Sequence, residues 1–158
     1  MNITSGFGKK LLSRSAVLTA GAALAMGGFA GSAHADSANI SAWTVSSSSC
    51  PTYFKICLFY SPGGTGGRFG TKYSAEKDLS GFTFGGSGAG VGDRVYNDAA
   101  SADNNTGCNV AIWNSTYYWG DSDWLSPHKG GNFGPALRNL DKSVAVDDSR
   151  SGCSTPTY

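Results

Sequence analysis

The chain has 158 residues, of which 12 are Lys or Arg and 11 are Asp or Glu, so its formal net charge is only +1. This length predicts one domain. The balanced charge provides no basic surface for a phosphate backbone and no acidic block, so we expect neither nucleic acid nor a membrane as a partner.

The first 35 residues have the organisation of a secretory signal peptide. Lys9, Lys10 and Arg14 precede an uncharged alanine-rich stretch, and Ala33-His34-Ala35 supplies small residues at a cleavage site. The alternative is a membrane anchor, but the apolar run is too short and glycine-rich to span a hydrocarbon core of about 30 Å well. We therefore predict a secreted, extracellular protein that begins at Asp36.

The remaining chain is rich in Gly, Ser, Thr, Asn and aromatic residues and poor in Glu, Met and Leu. Such a composition does not favour long helices, and it predicts an all-β fold. We divide it into an N-terminal extension over 36–49, a domain over 50–148 and a C-terminal tail over 149–158.

The residue types present leave little chemistry for an enzyme. After residue 35 the only histidine is His128, which lies in the loop-like run Ser126-Pro127-His128-Lys129-Gly130. A nucleophile system that needs a histidine base would depend on this residue alone. A pair of Asp carboxylates remains open as a glycosidase-like alternative, but no Asp has a distinctive neighbourhood. We predict that the chain is not an enzyme.

Four cysteines, Cys50, Cys57, Cys108 and Cys153, all follow the signal segment. An even number in an exported chain predicts two disulfides, and three pairings are possible. We favour Cys50–Cys57, because six intervening residues can close a compact loop, and Cys108–Cys153 then follows by elimination. A zinc site is disfavoured because neither spacing is the usual Cys-x2-Cys.

An internal repeat organises residues 50–148. The run 57–67 aligns with 110–120, which places a short apolar strand over another, Tyr60 over Trp113 and Gly67 over Gly120. Each run predicts a hairpin with a glycine-rich or turn-rich tip. A second match follows later in each unit, Asn97-x3-Ser101 and Asn139-x3-Ser143. We therefore predict one repeat over 50–102 and a second over 103–148.

The run Trp113-x4-Tyr118-x-Gly120 is similar to the aromatic and glycine signature of βγ-crystallin Greek keys, and Tyr60 to Gly67 matches it except for Thr65. With the Cys50-Pro51 opening and the signal segment, the chain resembles the secreted peptidase inhibitors of family I36. The resemblance implies a two-Greek-key βγ-crystallin-like sandwich, braced here by disulfides. It also implies inhibition of metalloproteinases.

Each motif residue also has a structural interpretation. The first aromatic can pack on the folded hairpin, and the glycine can adopt the positive φ that a returning tip needs. The late serine can hydrogen-bond to the backbone of that hairpin and lock it. Fold formation is the main role we assign to Tyr60, Trp113, Tyr118, Gly67 and Gly120.

The late turns resemble the calcium motif of microbial βγ-crystallins, in which oxygens from both halves surround the ion. The candidate ligands are Asn97, Asp98, Ser101, Asn139, Asp141 and Ser143. The motif is degenerate, because Ala102, Leu140 and Val144 stand where ligands or a serine belong. Since calcium requires six to eight oxygens, we expect no cofactor and weak or absent calcium binding.

Two cysteine-anchored segments are candidates for an inhibitory loop, which must be exposed and rigid. We favour the first, formed by Asn104, Asn105, Thr106, Gly107, Cys108 and Asn109. The alternative is formed by Thr52, Tyr53, Phe54 and Lys55. Each segment also has an ordinary interpretation, as a hydrophilic linker between repeats and as a strand with its turn.

We predict a monomer that binds an extracellular protease as its partner, most readily a metalloprotease. Two other classes remain open: a calcium-binding or structural βγ-crystallin module, and a small secreted antimicrobial toxin.

Overall fold

The computed structural model describes residues 37–147 and Cys153. The predicted signal segment and the tail apart from Cys153 lie outside the described residues. Within the described part the strands are β1 Ser37–Asn39, β2 Trp43–Thr44, β3 Ile56–Ser61, β4 Thr65–Thr71, β5 Ala75–Glu76, β6 Ser101–Asn104, β7 Asn109–Trp113, β8 Ser122–Leu125, β9 Lys129–Asn132 and β10 Ser143–Asp147. One 3-10 helix spans Thr116–Tyr118.

Two five-stranded sheets form the domain, and each contains strands from both repeats. Their orders are β2-β9-β6-β3-β4 and β1-β8-β7-β10-β5. The third strand of each repeat joins the sheet formed mainly by the other repeat. β5 of the first repeat pairs with β10, and β9 of the second repeat pairs with β6. The chain is therefore an all-β sandwich of two interlocked Greek keys, which confirms the predicted fold class.

The N-terminal extension is part of both sheets. β1 runs parallel to β8, and β2 runs antiparallel to β9. The indole Nε1 of Trp43 donates a 2.8 Å hydrogen bond to the buried carboxylate of Asp103 in β6. The extension 36–49 was predicted to precede the domain, but its described residues supply one outer strand to each sheet.

The boundary between the repeats also differs from the prediction. We placed it after residue 102, but β6 continues to Asn104 and belongs to the first repeat. The second repeat begins with β7 at Asn109. The connection between them is therefore the short segment 105–108.

The core lies between the sheets and follows the alternation of the strands. In β4 the inward residues Gly67, Phe69 and Thr71 are buried, whereas the residues between them are only partly covered. In β3 both faces are buried. Its outer face is covered by Cys50, Phe54 and Val45, which pack with Cys57 and Phe59. This second cluster holds the segment before β3 against the sheet.

The late serines lock the folded hairpins as predicted. The Ser101 hydroxyl donates to the Ser61 carbonyl at 2.7 Å and accepts from the Gly64 N–H at 3.1 Å. In the second repeat, Ser143 donates to the Ser115 carbonyl at 2.7 Å and accepts from the Tyr118 N–H at 3.1 Å. The same pair of hydrogen bonds thus recurs in both repeats.

The two hairpin tips differ in length, and this changes the role of one glycine. Gly120 has a φ of 88°, as predicted, and the Trp113 and Tyr118 rings meet edge to face at 5.4 Å. Gly67 was predicted to match it, but positive φ occurs instead at Gly66, with a φ of 77°. The first tip is shorter because β4 begins at Thr65, so its left-handed residues come earlier.

Candidate functional site

The two candidate inhibitory segments lie side by side. β3 and β6 are antiparallel neighbours, with Ile56 opposite Asn104, so the chain before β3 and the chain after β6 emerge at the same end of the sheet. The Asn105 N–H donates to the Lys55 carbonyl at 2.9 Å. The topology therefore places the two candidate segments next to each other.

Asn105 fixes the segment 51–55, which we call the braced loop. Its Nδ2 donates to the carbonyls of Cys50, Pro51 and Phe54 at 2.9, 3.1 and 3.0 Å. An amide group has only two N–H bonds, so one of them is shared between two acceptors. A residue predicted to contact a protease is thus the internal support of the neighbouring loop.

The structure contains the two favoured disulfides. Cys50–Cys57 closes the braced loop, and both cysteines are fully buried. Cys108–Cys153 connects the segment between the repeats to the C-terminal tail. The braced loop is therefore held covalently at its base and by Asn105 along its inner side.

The favoured segment 104–109 turns largely inward. Asn104 is 0% exposed and Asn109 is 6% exposed. The Asn104 Nδ2 donates to the Cys108 carbonyl at 2.7 Å, and its Oδ1 accepts from the Thr106 N–H at 2.8 Å. Within 104–109, Gly107 alone is exposed. The expectation of an exposed loop is therefore wrong for Asn104 and Asn109, because both residues are buried.

The braced loop is more accessible. Thr52, Tyr53 and Lys55 are exposed, and the Tyr53 side chain is 60% exposed. Phe54 is partly buried because its ring packs over Gly70, where a Cβ would lie 2.5 Å from it. Within the described residues, nothing donates a hydrogen bond to the carbonyls of Thr52 or Tyr53.

The calcium candidates lie in two turns that are joined by a reciprocal pair of backbone hydrogen bonds. The Asn97 N–H donates to the Asp141 carbonyl at 2.8 Å, and the Asn139 N–H donates to the Ala99 carbonyl at 2.9 Å. Asn97 and Asn139 have φ values of 66° and 58°, a region in which Asn is enriched. Asp98 lines an adjacent depression of about 200 Å³.

Some of the candidate calcium ligands already take part in hydrogen bonds within the protein. Ser101 and Ser143 are engaged in the hairpin locks. Burial raises the pKa of Asp141 to about 8, whereas the Ala99 N–H that donates to its Oδ1 opposes the shift. Among the described residues, buried side-chain oxygens without a hydrogen-bond partner remain on Asn97 and Asp141.

Three further features bear on function: the position of His128, the character of the helices and the grouping of metal-binding side chains. His128 is exposed in the turn between β8 and β9, where its φ is 56°. Between Ser37 and Asp147, no helix has the length and apolar character needed to cross a membrane. The same residues contain no group of three or more His, Cys, Asp or Glu side chains that could hold a metal ion.

Comparison with protein families finds one match, and it covers the site. The profile of peptidase inhibitor family I36 matches residues 44–125, from β2 to the end of β8, and includes both the braced loop and Asn105. The chain belongs to peptidase inhibitor family I36. Membership of this family agrees with the resemblance derived from the hairpin motifs and the Cys50-Pro51 opening.

Solved structures similar to this I36 family member are βγ-crystallin domains. A βγ-crystallin from Ciona intestinalis is 19% identical, with a TM-score of 0.44 over 58% of this chain and 98% of its own. The N-terminal domain of protein S is 18% identical, with a TM-score of 0.44 over 58% and 93%. A structure described under the evolution of the eye lens βγ-crystallin domain fold is 12% identical, with a TM-score of 0.46 over 58% and 83%. Comparison with curated protein sequences finds no significant match.

Proposed function

We propose that this protein is a secreted inhibitor of extracellular metallopeptidases and that it contacts the peptidase cleft through the braced loop. Family membership supports inhibition of a peptidase as the activity. The observation that favours this loop is that Asn105 supports the carbonyls of Pro51 and Phe54, and that of Cys50 at the base of the loop, from the inside. The two disulfides fit an oxidising, extracellular location.

Rigidity is the physical reason for this choice. A segment that is already held in its bound conformation loses little entropy when it binds, and its ends stay together if it is cut. The Cys50–Cys57 bond and the hydrogen bonds from Asn105 supply both properties to the braced loop. The segment 104–109 is equally well held, but its side chains are directed inward.

The exposed groups of the braced loop suit a peptidase cleft. The carbonyls of Thr52 and Tyr53 have no internal donor among the described residues, so one can approach the catalytic zinc of the enzyme. The neighbouring backbone can pair with an edge strand of the enzyme. Tyr53 offers the large exposed ring expected of an anchoring residue in an interface of about 800 Å² per partner.

Inhibition assays on the purified chain from residue 36 to 158 test this proposal. We expect inhibition of a thermolysin-like metallopeptidase at micromolar protein, and no inhibition of subtilisin-like or trypsin-like enzymes. Tyr53→Ala should weaken the inhibition by about tenfold or more, because anchoring aromatic residues carry much of the binding energy. Tyr117→Ala is the matched control, since Tyr117 is a similarly exposed tyrosine in the second hairpin tip.

Two results would contradict the proposal. A complete lack of inhibition across the three enzyme classes would remove the proposed activity. If the chain inhibits serine peptidases alone, it is still a peptidase inhibitor, but the proposed approach of a loop carbonyl to a catalytic zinc is wrong.

A further inference from the structure

One edge of the first sheet is closed along only part of its length. β4 is the outer strand, and both backbone groups of Arg68 bond across the edge to Gly85 at 2.9 Å. Because the direction of the backbone groups repeats every second residue, the N–H and C=O of Gly70 face the same edge. No described residue beyond this edge forms a hydrogen bond with the Gly70 N–H or C=O. The edge is therefore open at Gly70.

Aromatic side chains flank this opening on both faces of the sheet. Phe54 packs over Gly70 on the outer face, and Phe82 packs against Phe69 on the inner face, with ring centroids 4.7 Å apart. Between them lies a depression of about 220 Å³. This space suits one large apolar side chain beside an added strand.

The rim of the depression carries positive charge. Lys72 is exposed, with its Nζ 5.8 Å from the centre of the Tyr53 ring. Lys55 is also exposed, and its Nζ donates to the Ser74 hydroxyl at 2.7 Å. The nearest acidic group lining the depression is Glu76, which accepts a hydrogen bond from Thr71. No ion pair with a described residue neutralises either lysine.

We propose that the open edge of β4 at Gly70 binds an extended acidic segment of the target peptidase, which adds a strand to the sheet. The identity of the partner rests on the proposed function. An added strand would satisfy the two free backbone groups of Gly70. Its apolar side chain would enter between Phe54 and Phe82, and its acidic residues would meet Lys55 and Lys72. This surface adjoins the braced loop through Phe54 and Tyr53, so both can engage one enzyme.

Hydrogen exchange of the Gly70 amide tests this surface without a peptidase. The probes are two capped pentapeptides, Glu-Val-Phe-Val-Glu and Lys-Val-Phe-Val-Lys, added separately at millimolar concentration to the chain from residue 36 to 158. We expect the acidic peptide to slow exchange at Gly70 by about tenfold and the basic peptide to have no effect. Lys72→Glu should abolish the protection. Lys129→Glu, on β9 at the far side of the sheet, should leave it unchanged.

Unchanged exchange at Gly70, or equal protection by both peptides, would overturn the proposal. Inhibition of a peptidase that is equally strong with Lys72→Glu and with the unmodified chain would overturn it while leaving the proposed function intact. Protection by the acidic peptide together with no peptidase inhibition would support the edge site and remove the proposed function.

Discussion

Replacing Asn105 by Ala removes the internal support of the braced loop and leaves the exposed residues of that loop unchanged. The substitution removes the side-chain donors to the carbonyls of Cys50, Pro51 and Phe54. It keeps the backbone hydrogen bond from residue 105 to Lys55. At about 1 kcal/mol for each side-chain N–H, the free energy of unfolding should fall by about 2 kcal/mol.

Inhibition should fall as well, because the loop must then be ordered when it binds the enzyme. We expect an inhibition constant weaker by about tenfold under conditions in which the variant is still fully folded, equivalent to about 1.4 kcal/mol. Urea unfolding measures the first effect, and titration against the inhibited metallopeptidase measures the second.

Asn132→Asp provides a matched control. The Asn132 side chain accepts a hydrogen bond from the Gly63 N–H at 2.6 Å, and a carboxylate preserves that acceptor. Its free energy of unfolding should change by less than about 0.5 kcal/mol. If Asn105→Ala retains both the stability and the inhibition of the unmodified chain, the explanation based on loop rigidity is refuted.

Three further predictions concern the two late turns. Because burial raises the pKa of Asp141 to about 8, its contribution to stability is present at low pH and is lost as pH rises from about 4 to 8, by at most about 1.4 kcal/mol per pH unit. Asp141→Asn should flatten the pH dependence of the free energy of unfolding, measured with urea. If the pH dependence is unchanged, the raised pKa does not belong to Asp141. Ser101→Ala and Ser143→Ala should each lower the free energy of unfolding by about 1–3 kcal/mol, and a loss in only one repeat would contradict the equivalence of the locks. Calorimetric titration should show no calcium binding tighter than about 10⁻⁶ M, whereas submicromolar binding at two sites would contradict the expectation of weak or absent calcium binding.

The sequence was sufficient to predict features that depend on local pattern. The serine locks followed from a motif that occurs twice at matching positions, and Ser101 and Ser143 both make the expected hydrogen bonds. The short Cys50–Cys57 loop followed from spacing. The disulfide joins residues only 7 positions apart. The hydrogen bonds of Ser101 and Ser143 span 40 and 28 positions, and they were predictable because the motif itself is repeated.

Features that depend on distant pairing were not predictable. β2 has two residues and β5 has two, which is too short for an alternating pattern to identify a strand or its partner. The exchange of β5 and β9 between sheets is a property of the complete sandwich. The same holds for Trp43, whose bond to Asp103 joins residues 60 positions apart.

The site was predicted only in part, because polar composition does not distinguish solvated from internally bonded side chains. The run from Asp103 to Gly107 is as hydrophilic as an exposed linker. In the structure Asp103 and Asn104 are nonetheless buried and bonded to backbone or side-chain groups. By contrast, the aromatic run Tyr53-Phe54 suggested core packing, but Tyr53 is exposed.

Loop exchange tests most directly the claim that the braced loop inhibits a peptidase. One variant replaces Thr52 to Lys55 by Gly-Ser-Gly-Ser within the intact Cys50–Cys57 ring, and the other replaces Thr106 and Gly107 by Ser and Ala. The quantity measured is the inhibition constant for a thermolysin-like metallopeptidase. The first exchange should weaken inhibition by about 100-fold or more and the second by less than about threefold. Full inhibition after the first exchange, with loss only after the second, would contradict the account.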